Sequence, residues 1–175
     1  MSHPSQQNFV KSCQEKYPQY FHNNRVLEVG SLNINGTVRD FFTSCEYIGI
    51  DVAPGANVDL VCQGQDYRSD CVFDTTISCE CLEHNPYWLE TFQNMINLVR
   101  SQGMVIMTCA TTGRQEHGTP RTTPNDSPLT TSLGWTYYRN LTEQDFTQFI
   151  DFDQVFDVYE FRVQGLDLFF WGIKK

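Results

Sequence analysis

The chain has 175 residues, which suffices for one domain with a substantial core but leaves no room for a separate substrate domain. Its formal net charge of −9 argues against general DNA or RNA binding, which relies on many lysine and arginine contacts to phosphate. The sequence has no apolar run of membrane-spanning length and a polar start, and most of its cysteines lie in apolar runs. We therefore predict a cytoplasmic protein with reduced thiols and no membrane association.

The first half of the chain predicts a helical lead, residues 1–23, followed by short strands. A helix over 8–20 is disturbed by Pro18. Strands are predicted over 25–29, 47–50, 58–62 and 72–78. A helix over 36–42, capped by Asn33 or Asn35, is expected to join the first two strands.

The second half continues the alternation. Apolar residues at helical spacing predict a helix over 88–99, and Gly103 then turns the chain into a buried strand over 104–109. Residues 111–140 show no clear period, so we predict an active-site loop or lid there. A helix over 142–149 with Thr142 as its N-cap precedes two strands, 155–163 and 168–173, whose short connection indicates a hairpin.

This order predicts an α/β fold, in which strands that alternate with helices form a parallel sheet covered on both faces. We expect a single domain over residues 1–175. Its architecture is a Rossmann-like, doubly wound, mostly parallel sheet of about seven strands with a C-terminal antiparallel β-hairpin.

A glycine motif and a distant acid mark the ligand site. The first strand ends in Glu28-Val29-Gly30, a second glycine follows at Gly36, and the second strand ends at Asp51. Glycines let the backbone approach a ligand, and an acid after the second strand accepts hydrogen bonds from ribose hydroxyls. A dinucleotide fingerprint needs a glycine at position 32, where this chain has leucine.

From about Asn24 onward the chain resembles the class I S-adenosylmethionine-dependent methyltransferases, and most of all their type 11 group. The residues that carry the resemblance are Glu28-Val29-Gly30, Asp51, Asp66, Phe73-Asp74 and Glu80-Cys81-Leu82-Glu83-His84. The resemblance implies S-adenosyl-L-methionine as the cofactor. The implied cofactor-binding residues are Glu28, Gly30, Ser31, Gly36, Asp51, Val52, Gln65, Asp66, Tyr67, Cys79 and Glu80.

The resemblance also implies a role for most of these residues. Gly30 and Gly36 border the loop under the methionine moiety, and Glu28 orients that loop or the amino group. Asp51 binds the ribose, although a strand-end cap is its alternative role. Asp66 accepts from the adenine amino group, or is simply a turn residue. Gln65 and Tyr67 flank the ring, while Cys79 and Glu80 lie near the sulfonium.

Two histidines are candidate catalytic residues, because histidine is the base best matched to a hydroxyl acceptor near neutral pH. His84 follows the fourth strand, and His117 lies in the long loop after the fifth. Alternatively, His84 only supports the following helix and His117 is an ordinary loop residue. The loop also offers groups for an acceptor or for lid packing: Arg114, Arg121, Trp135, Tyr137, Tyr138 and Arg139.

A metal is the further alternative. Glu80, Glu83, His84 and His117 resemble the metal ligand set of small-RNA 2′-O-methyltransferases, but the chain is acidic and lacks the extra domains of those enzymes. We therefore predict no metal.

The predicted function is methyl transfer from S-adenosylmethionine to an oxygen of a small polar acceptor, with no nucleic-acid partner. The alternatives are a nicotinamide-dependent Rossmann oxidoreductase and a non-catalytic S-adenosylmethionine-binding protein. Oligomeric state is left open.

Overall fold

The structure is a computed structural model that describes residues 3–175. Its strands are β1 (Arg25–Val29), β2 (Glu46–Asp51), β3 (Leu60–Val61), β4 (Phe73–Cys79), β5 (Val99–Ala110), β6 (Phe156–Gln164) and β7 (Asp167–Lys174). Its α-helices are α1 (Pro4–Lys16), α2 (Trp88–Leu98), α3 (Pro128–Ser132), α4 (Glu143–Thr147) and α5 (Phe152–Val155).

The seven strands form one sheet in the order β3-β2-β1-β4-β5-β7-β6. Strands β1 to β5 pair in parallel, and β7 runs antiparallel to both β5 and β6. Gly165, at φ +64°, lies in the two-residue turn of the terminal hairpin. The predicted fold class is confirmed, including the antiparallel finish.

Both faces of the sheet are covered. Successive side chains of β5 point to opposite faces, and those on both faces are apolar. Val105 and Met107 join a cluster with the apolar residues of α2, α4 and α5. Met104 and Ile106 point to the opposite face and join a cluster that contains the buried side of α1. β5 is therefore buried on both faces, and for this reason its sequence shows a continuous run of apolar residues.

The helix predicted over 36–42 is wrong. Only a single 3-10 turn, Arg39–Phe41, forms between β1 and β2. Gly36 has φ +148°, outside the helical region, and its amide donates to the Asn33 side chain. The Thr37 hydroxyl accepts from the Arg39 amide and so favours a local turn over helix. No helix N-terminus therefore faces the crevice from this crossover.

Other boundaries move for local reasons. α1 begins at Pro4, which suits the first helical position, and ends before Pro18, which starts a separate 3-10 turn, Pro18–Tyr20. β3 keeps only two of its five predicted residues, because Asp59 bonds the Gly49 amide through its side chain. Asp151 caps the short helix α5, which delays β6 to Phe156.

Thr142 is the N-cap of α4, as predicted, and forms a capping box with Asp145. No disulfide joins any cysteines within residues 3–175. None of the helices in that range is long and apolar enough to cross a membrane.

Candidate functional site

A crevice opens where the sheet changes its direction of winding. β1 and β4 are neighbours, but the chain leaves β1 toward β2 and leaves β4 toward β5. Ligands of open α/β sheets bind at such a point, beyond the carboxyl ends of the strands. Gly30 follows β1 here, and Glu80 and Cys81 follow β4.

Gly30 allows these two strand ends to approach each other closely. Its φ of +81° suits glycine, and a Cβ at this position would lie 2.5 Å from the Cys81 Cβ. A side chain there would push the loop after β4 away. The glycine therefore serves close packing between two walls of the crevice, in addition to any approach to a ligand.

Asp51 anchors the loop after β1. One carboxylate oxygen accepts from the Leu32 amide at 3.0 Å, and the other accepts from the Val52 amide at 2.8 Å. Burial raises its pKa, and the two amide bonds partly oppose that shift. Each carboxylate oxygen can accept a second hydrogen bond, so Asp51 retains capacity for a ligand.

Two cavities lie along this crevice, and they share Gly30, Asp51, Cys81 and Thr130. The first, of about 40 Å³, is walled by Glu80 and His84 on the sheet side and by residues 126–130 of the long loop on the other. The second, of about 30 Å³, has a largely apolar lining that includes Ile50, Val52, Cys62 and Trp135. The loop after β5 therefore folds over the crevice.

The predicted cofactor residues separate into two groups. Gly30, Asp51, Val52 and Glu80 line these cavities. The others line neither cavity: Glu28, Ser31, Gly36, Gln65, Asp66, Tyr67 and Cys79.

Several of this second group have other surroundings. Tyr47 donates to the buried Glu28 carboxylate at 2.9 Å, and burial raises the pKa of Glu28 to about 7. The Tyr67 ring packs against Phe73 in the core, and Asp66 is exposed.

The sequence interpretation missed several lining residues: Leu32, Cys62, Cys81, Asn85 and Thr130. Asn85 was detectable, because Asn before Pro marks a turn. Its side chain accepts from the Tyr87 amide and donates to Thr91, which donates on to Gln65 at 3.4 Å. Gln65 is thus linked to the cavity wall indirectly.

The two candidate histidines meet. The ring centroids of His84 and His117 lie 4.9 Å apart with their planes at 89°, and the Tyr138 ring packs against both. Gly118, at φ +61°, allows this approach, because a Cβ there would lie 2.7 Å from the His84 Cε1. Burial, and then the neighbouring His117, lowers the pKa of His84 to about 3.

Two glutamates lie beside the histidines. Glu80 has φ +51°, and its Oε1 accepts from Thr108 at 3.0 Å. Glu83 is fully buried, and burial together with the neighbouring Glu80 raises its pKa well above the usual range. The loop arginines are engaged elsewhere: Arg114 pairs with Asp167, Arg121 with Glu116, and Arg139 with Asp145.

Comparison with protein-family models and with curated proteins gives no match. Solved structures do match. A Burkholderia thailandensis 1,6-didemethyltoxoflavin N1-methyltransferase with bound S-adenosylhomocysteine aligns with 97% of this chain and 78% of its own, at 12% identity and TM-score 0.64. The N-methyltransferase NodS of Bradyrhizobium japonicum WM9 aligns with 99% of this chain and 98% of its own, at 12% identity and TM-score 0.61.

The CurJ carbon methyltransferase aligns with 96% of this chain and 52% of its own, at 15% identity and TM-score 0.60. At such identities the similarity establishes architecture, and the sheet order and terminal hairpin agree with it. This chain has the fold of the class I S-adenosylmethionine-dependent methyltransferases.

Proposed function

We propose that this chain is a methyltransferase that uses S-adenosyl-L-methionine. The observation that carries the proposal is the crevice between β1 and β4, with Asp51 on the border of both cavities. Structural neighbours carry S-adenosylhomocysteine, and their names describe nitrogen and carbon methyl transfer.

The residues of the crevice suit this ligand. Asp51 has acceptor capacity for a ribose diol, and the apolar wall formed by Ile50, Val52 and Trp135 suits a flat base. Gly30 and Glu80 line the first cavity, where we infer that the methionine moiety binds. Glu28, Ser31, Gly36 and Cys79 are then supports of the loop and strand ends rather than ligand contacts.

The remaining predicted residues fit less directly. Gln65 approaches the second cavity only through Thr91, and Tyr67 supports the core behind it. Asp66 is exposed and lines neither cavity. We therefore assign adenine recognition first to the apolar wall.

Methyl transfer needs little from the protein besides placement. When bound, S-adenosylmethionine supplies a methyl group on a sulfonium sulfur. The sulfur departs as a neutral thioether, which is an excellent leaving group. The protein holds the acceptor in line and excludes water, and such placement can account for a large share of the rate. Residues 126–130 cover the first cavity and provide that exclusion.

We infer that the acceptor is a small polar molecule methylated on oxygen. His84 lines the first cavity, and His117 borders an adjoining cavity of about 520 Å³ together with Arg114 and Asp126. The histidine pair thus separates the proposed donor site from an open polar space. We propose that both histidines contact the acceptor, with His84 in a positioning role, because burial lowers its pKa to about 3 and leaves it a weak base. Asp126 lines both cavities, so the two spaces adjoin.

Calorimetry with S-adenosylmethionine, S-adenosylhomocysteine and NAD tests the cofactor. We expect both sulfur compounds to bind and NAD to give no heat; binding of NAD alone would assign the crevice to a nicotinamide enzyme. A methyl-release assay over hydroxyl, amine and activated-carbon acceptors then tests the acceptor atom. Tight cofactor binding with no turnover on any acceptor would favour a non-catalytic binding protein.

A further inference from the structure

Three potential ligand side chains converge at the end of β4. Ligand atoms of Glu83, His84 and His117 all lie within 4.8 Å of one another. Glu83 and His84 belong to the 3-10 turn Leu82–His84, whereas His117 arrives from the loop after β5. Because β4 and β5 are adjacent parallel strands, their carboxyl ends bring these distant residues to one place.

The buried polar atoms of this cluster lack partners. Glu83 is 0% exposed and His84 is 3% exposed. Neither ring nitrogen of His84 has a hydrogen-bond partner within residues 3–175. The Glu83 carboxylate has no hydrogen bond of ordinary geometry in that range, and the backbone amides of Glu83 and Ala110 lie close to it. Oε2 of Glu80, a residue 4% exposed, is likewise unpaired in that range. Buried polar atoms in native proteins almost always have a hydrogen-bond partner, so several unpaired atoms at one place indicate a missing ligand.

A hydrogen bond within its own loop fixes the tautomer of His117. Its Nδ1 lies 3.1 Å from the Gln115 carbonyl oxygen, which requires that this nitrogen carry the proton and donate. The Nε2 of the neutral ring then has a free lone pair. A carbonyl or carboxylate on the second nitrogen is the usual support of a metal-bound histidine, because it fixes the tautomer and the ring plane.

Packing holds both rings where they are. Tyr138 contacts each ring, with centroid separations of 5.5 Å to His84 and 5.0 Å to His117. Gly118 leaves room beside His84 that any side chain would fill. The backbone carbonyl of Glu83 accepts from the Arg139 amide at 2.9 Å, which fixes the 3-10 turn against the loop.

We propose that Glu83, His84 and His117 bind one divalent transition-metal ion, with Glu80 as an additional carboxylate near it. Two imidazoles and a carboxylate suit zinc, iron, cobalt or manganese better than magnesium or calcium, which prefer oxygen ligands alone. Bonds of about 2.0–2.2 Å separate ligand atoms by roughly 3–4 Å, so binding requires a contraction of about 1 Å. This proposal replaces the prediction of no metal.

The charges around the cluster agree with a cation. Arg114 is a positively charged residue near the cluster. Its guanidinium pairs with the Asp167 carboxylate at 2.8 Å, so it does not neutralise Glu83. A divalent ion would supply the positive charge that Arg114 does not.

The location gives the ion a use, and this part rests on the proposed function. His84 lines the first cavity, and His117 borders the larger one. An ion between them would lie where an acceptor hydroxyl must approach the methyl donor. Its chemical contribution would be to polarise that hydroxyl and lower its pKa.

Cobalt binding without any cofactor tests the site. Protein stripped with a chelator is titrated with Co²⁺ and followed by visible absorption and calorimetry. We expect one ion per chain, and His84→Ala, His117→Ala and Glu83→Gln should each weaken binding by at least about tenfold. His22→Ala is the matched control, because His22 is exposed and bonds only Thr43. It should bind like the wild type.

Two outcomes would overturn the proposal: wild-type protein that binds no Co²⁺, or histidine variants that bind it as the wild type does. Circular dichroism shows whether each variant folds. If Glu83→Gln does not fold, His117→Ala still tests the site, because His117 is only half-buried in a loop. S-adenosylhomocysteine binding is measured on the same samples. A protein that binds the cofactor but no cobalt would remove the metal site and leave the proposed function intact.

Discussion

At the residue scale, buried acidic side chains make the stability of the protein depend on pH, and Glu28 is one of them. The pKa of Glu28 is raised from 4.5 to about 7, first by burial. The folded state therefore binds more protons than the unfolded state between these values. The stabilisation is fully present below pH 4.5 and is lost as the pH rises through 7.

Glu28→Gln should remove this pH dependence. A shift of this size corresponds to at most about 3 kcal/mol. We expect urea unfolding to show a flatter decline of stability between about pH 5 and 8 in the variant than in the wild type. Glu90→Gln, an exposed change, is the control and should keep the wild-type slope. Equal slopes for all three proteins would mean that Glu28 does not carry the shift.

Gly30 and Gly134 allow backbone strain to be separated from packing. Their φ values are +81° and +78°, but a Cβ at Gly30 meets Cys81, whereas a Cβ at Gly134 meets nothing within 4 Å. Gly134→Ala should cost about 1 kcal/mol in the free energy of unfolding. Gly30→Ala should cost about 1–3 kcal/mol more, because the loop after β4 must move. Chemical denaturation measures both, and similar losses would show that the contact is easily relaxed.

At the scale of elements, the loop after β5 forms one wall of the first cavity. It carries a 3-10 turn, Pro124–Asp126, and the short helix α3, and residues 126–130 wall the first cavity. We propose that this segment is a lid. Few of its side chains are fully buried, so its exchange with solvent is expected to be fast without a ligand.

Hydrogen–deuterium exchange tests the lid. S-adenosylhomocysteine should slow amide exchange in residues 124–135 by about tenfold or more, because those amides would close over the ligand. α4 lines neither cavity of the crevice and serves as the internal reference, with unchanged exchange. Equal protection in both segments, or in neither, would contradict a lid.

The sequence predicted long, buried elements better than short ones. α2 was found to within one residue of its observed bounds. The apolar run 104–109 was correctly predicted as a strand, but β5 begins at Val99, so the turn predicted at Gly103 is wrong. The segment 36–42 is short and is controlled by Gly36 and Thr37, so the N-cap expected at Asn33 or Asn35 is not followed by a helix. Chain order placed His84 and His117 at one edge of the sheet, but their contact depends on Gly118 and Tyr138, whose roles are tertiary.

At the scale of the whole molecule, the sheet order creates one crevice with two walls of different origin. The strand ends supply Gly30, Asp51 and Glu80, and the loop after β5 supplies the opposing wall. The arrangement separates the proposed cofactor site from a larger polar space across the histidine pair. On the proposed function, we expect the loop to select the acceptor, because the shared fold does not specify it.

The most direct test of the central claim is calorimetric titration of Asp51→Ala with S-adenosylhomocysteine. Asp70→Ala, an exposed aspartate outside the crevice, is the control, and unfolding curves verify that both variants are folded. We predict that Asp51→Ala weakens binding by about 1–3 kcal/mol, while Asp70→Ala leaves it unchanged. Wild-type affinity in Asp51→Ala would contradict the account, because the ribose would then be held elsewhere.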